Sequence, residues 1–154
     1  MKFELPDEAA TLALGARLAA MLVPGLVIYL CGDLGSGKTT LVRGLLRALG
    51  YEGRVKSPTY TLVELYVISG LNLHHFDFYR FSQPEEYLDA GLDEYFQGGA
   101  VCLVEWPEKV GGYLASADLR IAISVGANGR DVEIASHSAA GFQCLKKLLP
   151  SPLG

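Results

Sequence analysis

Residues 32–39 of this 154-residue chain read Gly-Asp-Leu-Gly-Ser-Gly-Lys-Thr, which is the pattern GxxxxGK[ST] of a turn that holds the phosphate chain of a nucleotide. Each residue type has a job in that chemistry. Gly32, Gly35 and Gly37 let the backbone fold back over an anion, so that successive N–H groups and the start of the next helix point at it. Lys38 would set its ammonium against the β- and γ-phosphates, and the Thr39 hydroxyl would complete the shell of a Mg2+ ion. Gly35, Ser36, Gly37, Lys38, Thr39 and Thr40 are the expected contacts of the bound nucleotide.

A nucleotide-bound Mg2+ needs further oxygen ligands, which come from the C-terminal ends of neighbouring parallel strands, where such a turn also sits. Two acids meet that condition. Glu105 directly follows the apolar run AVCLV, and Asp77 closes LNLHHF ahead of Tyr79-Arg80. His74-His75 is no chelating pair, because adjacent strand residues point to opposite faces; one of them is expected to be packed or hydrogen-bonded. Trp106 reads as a packing anchor in preference to a lid over the nucleotide. The hydroxyl-rich stretch Ser57-Pro58-Thr59-Tyr60-Thr61 stands where a loop that senses the γ-phosphate would lie.

Positioning these groups takes a strand, a glycine turn and a helix, and the flanking sequence supplies them. Residues 26–31 (LVIYLC) are apolar without alternation, as in a strand buried on both faces of a parallel sheet. Residues 38–49 have helical spacing and end at Gly50. Before them, residues 7–22 predict a helix with Asp7 and Glu8 at its start and an apolar stripe of Ala9, Leu12, Ala16, Ala19 and Leu22. Residues 61–67 and 71–78 predict two strands joined at Ser69-Gly70, and 84–96 predict short helices broken near Gly91. Residues 100–104 form another buried strand. A hairpin of 119–125 and 131–135 turns through Ala127-Asn128-Gly129-Arg130, before a last helix near 138–149. The fold class is α/β, with parallel and antiparallel strands mixed in one sheet.

Composition bounds the rest. Thirteen Lys and Arg against seventeen Asp and Glu leave a formal charge of −4, which disfavours direct, autonomous binding of nucleic acid. The length predicts one domain over residues 1–154. Half the residues are hydrophobic and the mean hydropathy is +0.25, ample for a core. Cys31, Cys102 and Cys144 are too far apart for a metal pair and read as buried thiols of a cytoplasmic protein. No signal peptide or membrane-spanning stretch is legible. The 18 glycines, about 12% against an average near 7%, imply turns that need backbone freedom.

Taken in order, Thr11, CGDLGSGKTTLVRGLLRALG, SPTYTLVE, the HxDxYR signature at His75, Asp77, Tyr79 and Arg80, EWPE at 105–108 and Gly129-Arg130 closely resemble the TsaE family, also called YjeE. Its members are P-loop ATPases of threonylcarbamoyladenosine synthesis in tRNA. The resemblance implies a P-loop NTPase fold, with a mixed central sheet flanked by helices, and ATP and Mg2+ as cofactors. It implies that Lys38 and Thr39 hold the phosphates and Mg2+, that Glu105 is the metal-side carboxylate, and that Asp77 is the Walker B-type acid. Lys38, Asp77 and Glu105 are then the catalytic set. Residues 57–61, with Thr61 among them, would be the switch-like loop, and Thr11 and Arg130 would approach the base and sugar. After SPTYTLV the family often has Asn before Glu, whereas this chain reads Val63-Glu64-Leu65-Tyr66. The implied activity is a weak ATPase that acts on a heterodimer of TsaB and TsaD, the latter modifying adenosine 37; tRNA is met only through that complex. Two other classes share the turn. A small-molecule P-loop kinase would bring a lid of several arginines, whereas the seven here are scattered; a nucleotide-gated interaction module would bind ATP without turnover. A GTPase would need NKxD, which does not occur.

Overall fold

The computed structural model describes residues 1–68 and 70–148. Seven strands form one sheet: β1 (Lys2–Leu5), β2 (Val27–Cys31), β3 (Val63–Ile68), β4 (Leu71–Asp77), β5 (Val101–Glu105), β6 (Leu119–Gly126) and β7 (Gly129–Ser136), in the spatial order β1-β7-β6-β2-β5-β4-β3. The four central strands, β6, β2, β5 and β4, run parallel. β7 and β1 extend the sheet antiparallel on one side, and β3 does so on the other. The helices are α1 (Glu8–Ala19), α2 (Lys38–Ala48), the short α3 (Glu86–Asp89) and α4 (Ala139–Lys146).

The sheet separates two cores. On one face Ile28, Leu30, Leu73, Leu103 and Ile121 pack with Leu14 and Leu18 of α1 and Leu41 and Leu45 of α2. On the other Val27, Phe76, Cys102 and Val104 pack with Phe78, Phe81, Tyr87 and Leu92. β5 is buried at every position, including Glu105, as expected for a strand covered on both faces.

The α1 face differs from the expected stripe. Ala9 and Ala16 are exposed, and Thr11, Leu14, Gly15, Leu18 and Ala19 are buried. This helix is apolar nearly all round, so the spacing of its apolar residues does not by itself select the buried face. Close approach to α2 selects it: a Cβ at Gly15 would stand 2.3 Å from the Leu41 carbonyl oxygen, and one at Gly44 would stand 2.3 Å from that of Leu12. Only a glycine on each helix admits the other backbone.

Three further differences are local. β1 was not foreseen, because two inward residues, Phe3 and Leu5, are too short a signal without the pairing that β7 supplies. The 119–135 hairpin turns through two residues, Ala127 and Asn128, with Gly126 opposite Gly129, so Gly129 and Arg130 belong to β7. After β5 come two 3-10 turns, Pro107–Lys109 and Gly111–Tyr113. Ser69 of the expected 69–70 turn and residue 149 of the expected last helix lie outside the described residues.

Candidate nucleotide site

The chain leaves β2 at Cys31, turns through residues 32–37 and enters α2 at Lys38. Gly37 caps that helix at φ +109°, a left-handed conformation that costs a residue with a Cβ. α1 and α4 are capped by their own side chains, Asp7 accepting from the Ala10 N–H and Ser138 from the Gly141 N–H. α2 has no side-chain cap. Its first N–H groups stay available to an anion, which a helix N-terminus favours by its dipole.

Beneath the turn lies a cluster of buried polar groups. Among the described residues the buried polar or charged side chains are Thr11, Ser36, Lys38, His75, Asp77 and Glu105, and Lys38, Asp77 and Glu105 are only 6%, 3% and 4% exposed. Strand register brings them together: Asp77 of β4 pairs with Glu105 of β5, and Leu30 of β2 pairs with the same Glu105. The Lys38 ammonium lies 3.2 Å from Glu105 Oε1 and donates to the Gly32 carbonyl. His75 Nε2 lies 2.6 Å from Glu105 Oε2. Asp77 Oδ1 accepts from the Tyr79 N–H at 2.9 Å, and its Oδ2 accepts from the Thr59 hydroxyl at 3.5 Å.

The two carboxylates are biased in opposite directions. Burial raises the pKa of Asp77 above the ordinary value of 3.8; the Tyr79 N–H opposes this, the charge of Glu105 adds to it, and the charges of Lys38 and His75 oppose it. Burial also acts to raise Glu105, but the hydrogen bond and charge of His75 and the charge of Lys38 outweigh it and hold Glu105 below 4.5. Glu105 is thus dominated by its two partners, His75 and Lys38, and Asp77 by its burial. A buried ion pair is weak support for stability, since apolar residues of the same shape often do as well. These charges point to chemistry.

Trp106 packs against the second core, as expected, and also borders the site. Its ring covers the Lys38 ammonium at 4.9 Å and tilts against Tyr79 at 5.0 Å. It adopts φ +58°, and its Nε1 is buried with no partner among the described residues. This aromatic therefore belongs to the site wall.

The remaining expected residues divide. Thr11, Gly37, Thr40, Gly129 and Arg130 line a cavity of about 180 Å3 at the α2 end of the turn. Arg130 grips the turn from outside, Nε donating to the Ser36 carbonyl at 2.7 Å and Nη2 to that of Gly35 at 3.4 Å. Thr61 stands apart: it is exposed and its hydroxyl donates to Glu64 at 3.0 Å. The hydroxyl of the 57–61 loop that reaches the carboxylates is Thr59. A larger cavity of about 410 Å3, lined by Tyr29, Cys31, Trp106, Glu108 and Arg120, opens at the other end of the turn, beside Gly32 and Asp33. Sequence reasoning missed the His75–Glu105 bond, although the HxD spacing held a clue: residues two apart share a strand face.

The profile of the family described as Threonylcarbamoyl adenosine biosynthesis protein TsaE matches residues 5–132. The chain belongs to the TsaE family. It is 43% identical over 142 residues to the tRNA threonylcarbamoyladenosine biosynthesis protein TsaE of Haemophilus influenzae, covering 89% of this chain and 90% of that protein. The Bacillus subtilis protein of the same name is 42% identical over 123 residues, covering 80% and 77%. The crystal structure of YdiB from Bacillus subtilis is similar with a TM-score of 0.82 and 33% identity, covering 96% of this chain and 93% of that one. The TsaE architecture here is that of a P-loop NTPase, a mixed sheet flanked by helices. Among the described residues no helix is long and apolar enough to cross a membrane.

Proposed function

We propose that this TsaE-family chain is the ATP-binding and ATP-hydrolysing subunit of threonylcarbamoyl modification at adenosine 37 of tRNA, weakly active alone and stimulated by a TsaB–TsaD heterodimer. The observation that carries the reading is the buried Lys38 at the uncapped start of α2, facing Glu105 and Asp77 at the ends of adjacent parallel strands. The residues fit the cofactors. Ser36 Oγ is buried without a partner among the described residues, the α2 N–H groups await an anion, and the donors near Lys38 are oxygens, which Mg2+ prefers.

In this reading Lys38 and the turn N–H groups hold the phosphates, and Thr39 and Glu105 hold Mg2+, which when bound neutralises charge developing on the phosphate oxygens. Asp77, at the adjacent strand end and bonded to Thr59, serves as the Walker B-type acid of the site. Thr11 and Arg130 flank the base and sugar side. Thr59, on the 57–61 loop, ties that loop to the site, so the loop can order with ATP and relax after hydrolysis. The acidic charge fits a subunit that leaves the RNA to its partners, and the three free thiols suit a reducing cytosol.

The test is titration of a fluorescent ATP analogue with and without TsaB and TsaD, with phosphate release followed in parallel. By linkage, a partner that prefers the ATP-ordered loop must tighten ATP binding, about 5- to 150-fold for a typical coupling. Tighter binding with faster phosphate release is expected. Tight binding with no phosphate released in the partnered state would leave an interaction module, and phosphorylation of a metabolite without partners would make the chain a kinase.

A further inference from the structure

Glu105 is held from two sides by different groups, and the two are not equivalent. Lys38, at 3.2 Å, approaches Oε1 from a helix that also carries the phosphate-binding turn. His75, at 2.6 Å, approaches Oε2 from β4, inside the sheet, and is wholly buried. Register explains the reach. His75 pairs with Leu103 and Asp77 with Glu105, so His75 and Glu105 share a sheet face as diagonal neighbours, a separation that long side chains bridge.

The direction of the hydrogen bond follows from the charges. Glu105 faces a lysine ammonium at 3.2 Å through Oε1, so its carboxylate accepts and His75 donates from Nε2 to Oε2 at 2.6 Å. His75 Nδ1 is buried and has no partner among the described residues.

We propose that His75 is a positioning residue for Glu105: by bonding Oε2 it fixes the carboxylate in the orientation in which it would hold Mg2+. The inference rests on the reading of Glu105 as the metal-side carboxylate. A hydrogen bond from a fixed neighbour orients a ligating carboxylate, and losing such a partner typically weakens metal binding about 10- to 100-fold. Gln can present a donor near the position of Nε2; Ala and Phe cannot.

The experiment titrates Mg2+ into the full chain at fixed fluorescent ADP, and separately measures ADP affinity in EDTA, for the unmodified chain and for Glu105→Gln, His75→Ala, His75→Phe, His75→Gln and His74→Phe. Removing the donor in His75→Ala and His75→Phe should raise the half-saturating Mg2+ concentration about 10- to 100-fold, with the affinity in EDTA staying within about twofold. His75→Gln should recover most of the loss, and His74→Phe, on the opposite face, should match the unmodified chain. If Glu105→Gln leaves the Mg2+ titration unmoved, the metal-side reading of Glu105 falls and the proposal falls with it. If Glu105→Gln weakens Mg2+ but His75→Ala and His75→Phe do not, the role of His75 alone is overturned. Imidazole 15N shifts of the unmodified chain need no variant to fold: a protonated Nε2 supports the donor role, and a bare Nε2 overturns it.

Discussion

The two faces of β4 carry opposite kinds of burial. His74 and Phe76 look into an aromatic cluster, where Phe76 stacks on Phe96 at 4.7 Å and meets Tyr95 and Phe78. His74 there contacts the Tyr95 carbonyl through Nδ1 at 3.2 Å, and burial lowers its pKa. One residue further along, His75 and Asp77 look into the phosphate-binding side, beside Glu105 and Lys38. The strand, its depth and its neighbours are common to both faces. What differs is whether the buried groups satisfy one another by packing or by charge. The aromatic face holds the fold together, whereas the charged face accepts desolvation that an apolar replacement would avoid, and in return presents groups to a ligand.

That contrast is open to direct test. The largest effect on stability is expected from Phe76→Ala, about 3–5 kcal/mol by denaturant titration, with ATP affinity of the folded fraction unchanged. A comparable loss of ATP affinity would show that the faces are not separable. Lys38→Ala should do the reverse. Removing a charge-assisted contact worth about 1.5–3 kcal/mol weakens ATP at least about tenfold by calorimetric titration, in a chain that still folds.

A smaller effect is expected in the 57–61 loop. Thr59→Ala removes one hydrogen bond to Asp77, worth about 0.5–1.5 kcal/mol, and should reduce the partner-induced gain in ATP affinity by up to about tenfold. Thr61→Ala, which breaks only an exposed bond to Glu64, should leave it unchanged. If Thr61→Ala is the more damaging, the loop rearranges on binding and Thr61 is its sensing hydroxyl.

Asp77 gives the most modest change and the clearest sign. Because its pKa is raised in the folded state, the folded protein binds the proton more tightly than the unfolded chain. That contribution favours folding at low pH and is lost as pH rises through the raised value. Asp77→Asn, which keeps an oxygen for the Tyr79 N–H, should therefore be more stable than the unmodified chain at neutral pH while losing partner-stimulated hydrolysis. The stability difference should shrink as pH falls through Asp77's own titration. Chemical denaturation at several pH values reads it; a difference that grows on acidification would contradict the assignment.

How far the sequence could be read depended on how local each signal was. The turn at residues 32–37 and the flanking strand and helix were legible because their geometry is set within about a dozen neighbouring residues. Asp77 and Glu105 were legible as strand ends, but not as one cluster with His75, because that takes pairing between β4 and β5 across 28 residues of chain. The packing reading of Trp106 holds, but its place over Lys38 was not legible, since a single aromatic after a strand carries no sign of which way it turns. Arg130 could be aligned with the nucleotide side, yet its grip on the Gly35 and Ser36 carbonyls follows from a hairpin turning through two residues, not four.

By itself, then, the sequence determined the phosphate-binding turn, the parallel strands that flank it and the kind of chemistry their ends could support, because glycine spacing, unbroken apolar runs and helical periodicity act through covalent neighbours. Only the tertiary structure decided which face of α1 is buried, which hydroxyl of the 57–61 loop meets Asp77, and which oxygen of Glu105 faces Lys38 and which faces His75. Those are contests between near-equal local alternatives. They are settled by the close approach of α1 and α2 at Gly15 and Gly44, by Leu62 at φ +70° accepting from the Asp77 N–H at 3.0 Å, and by the register of β4 on β5.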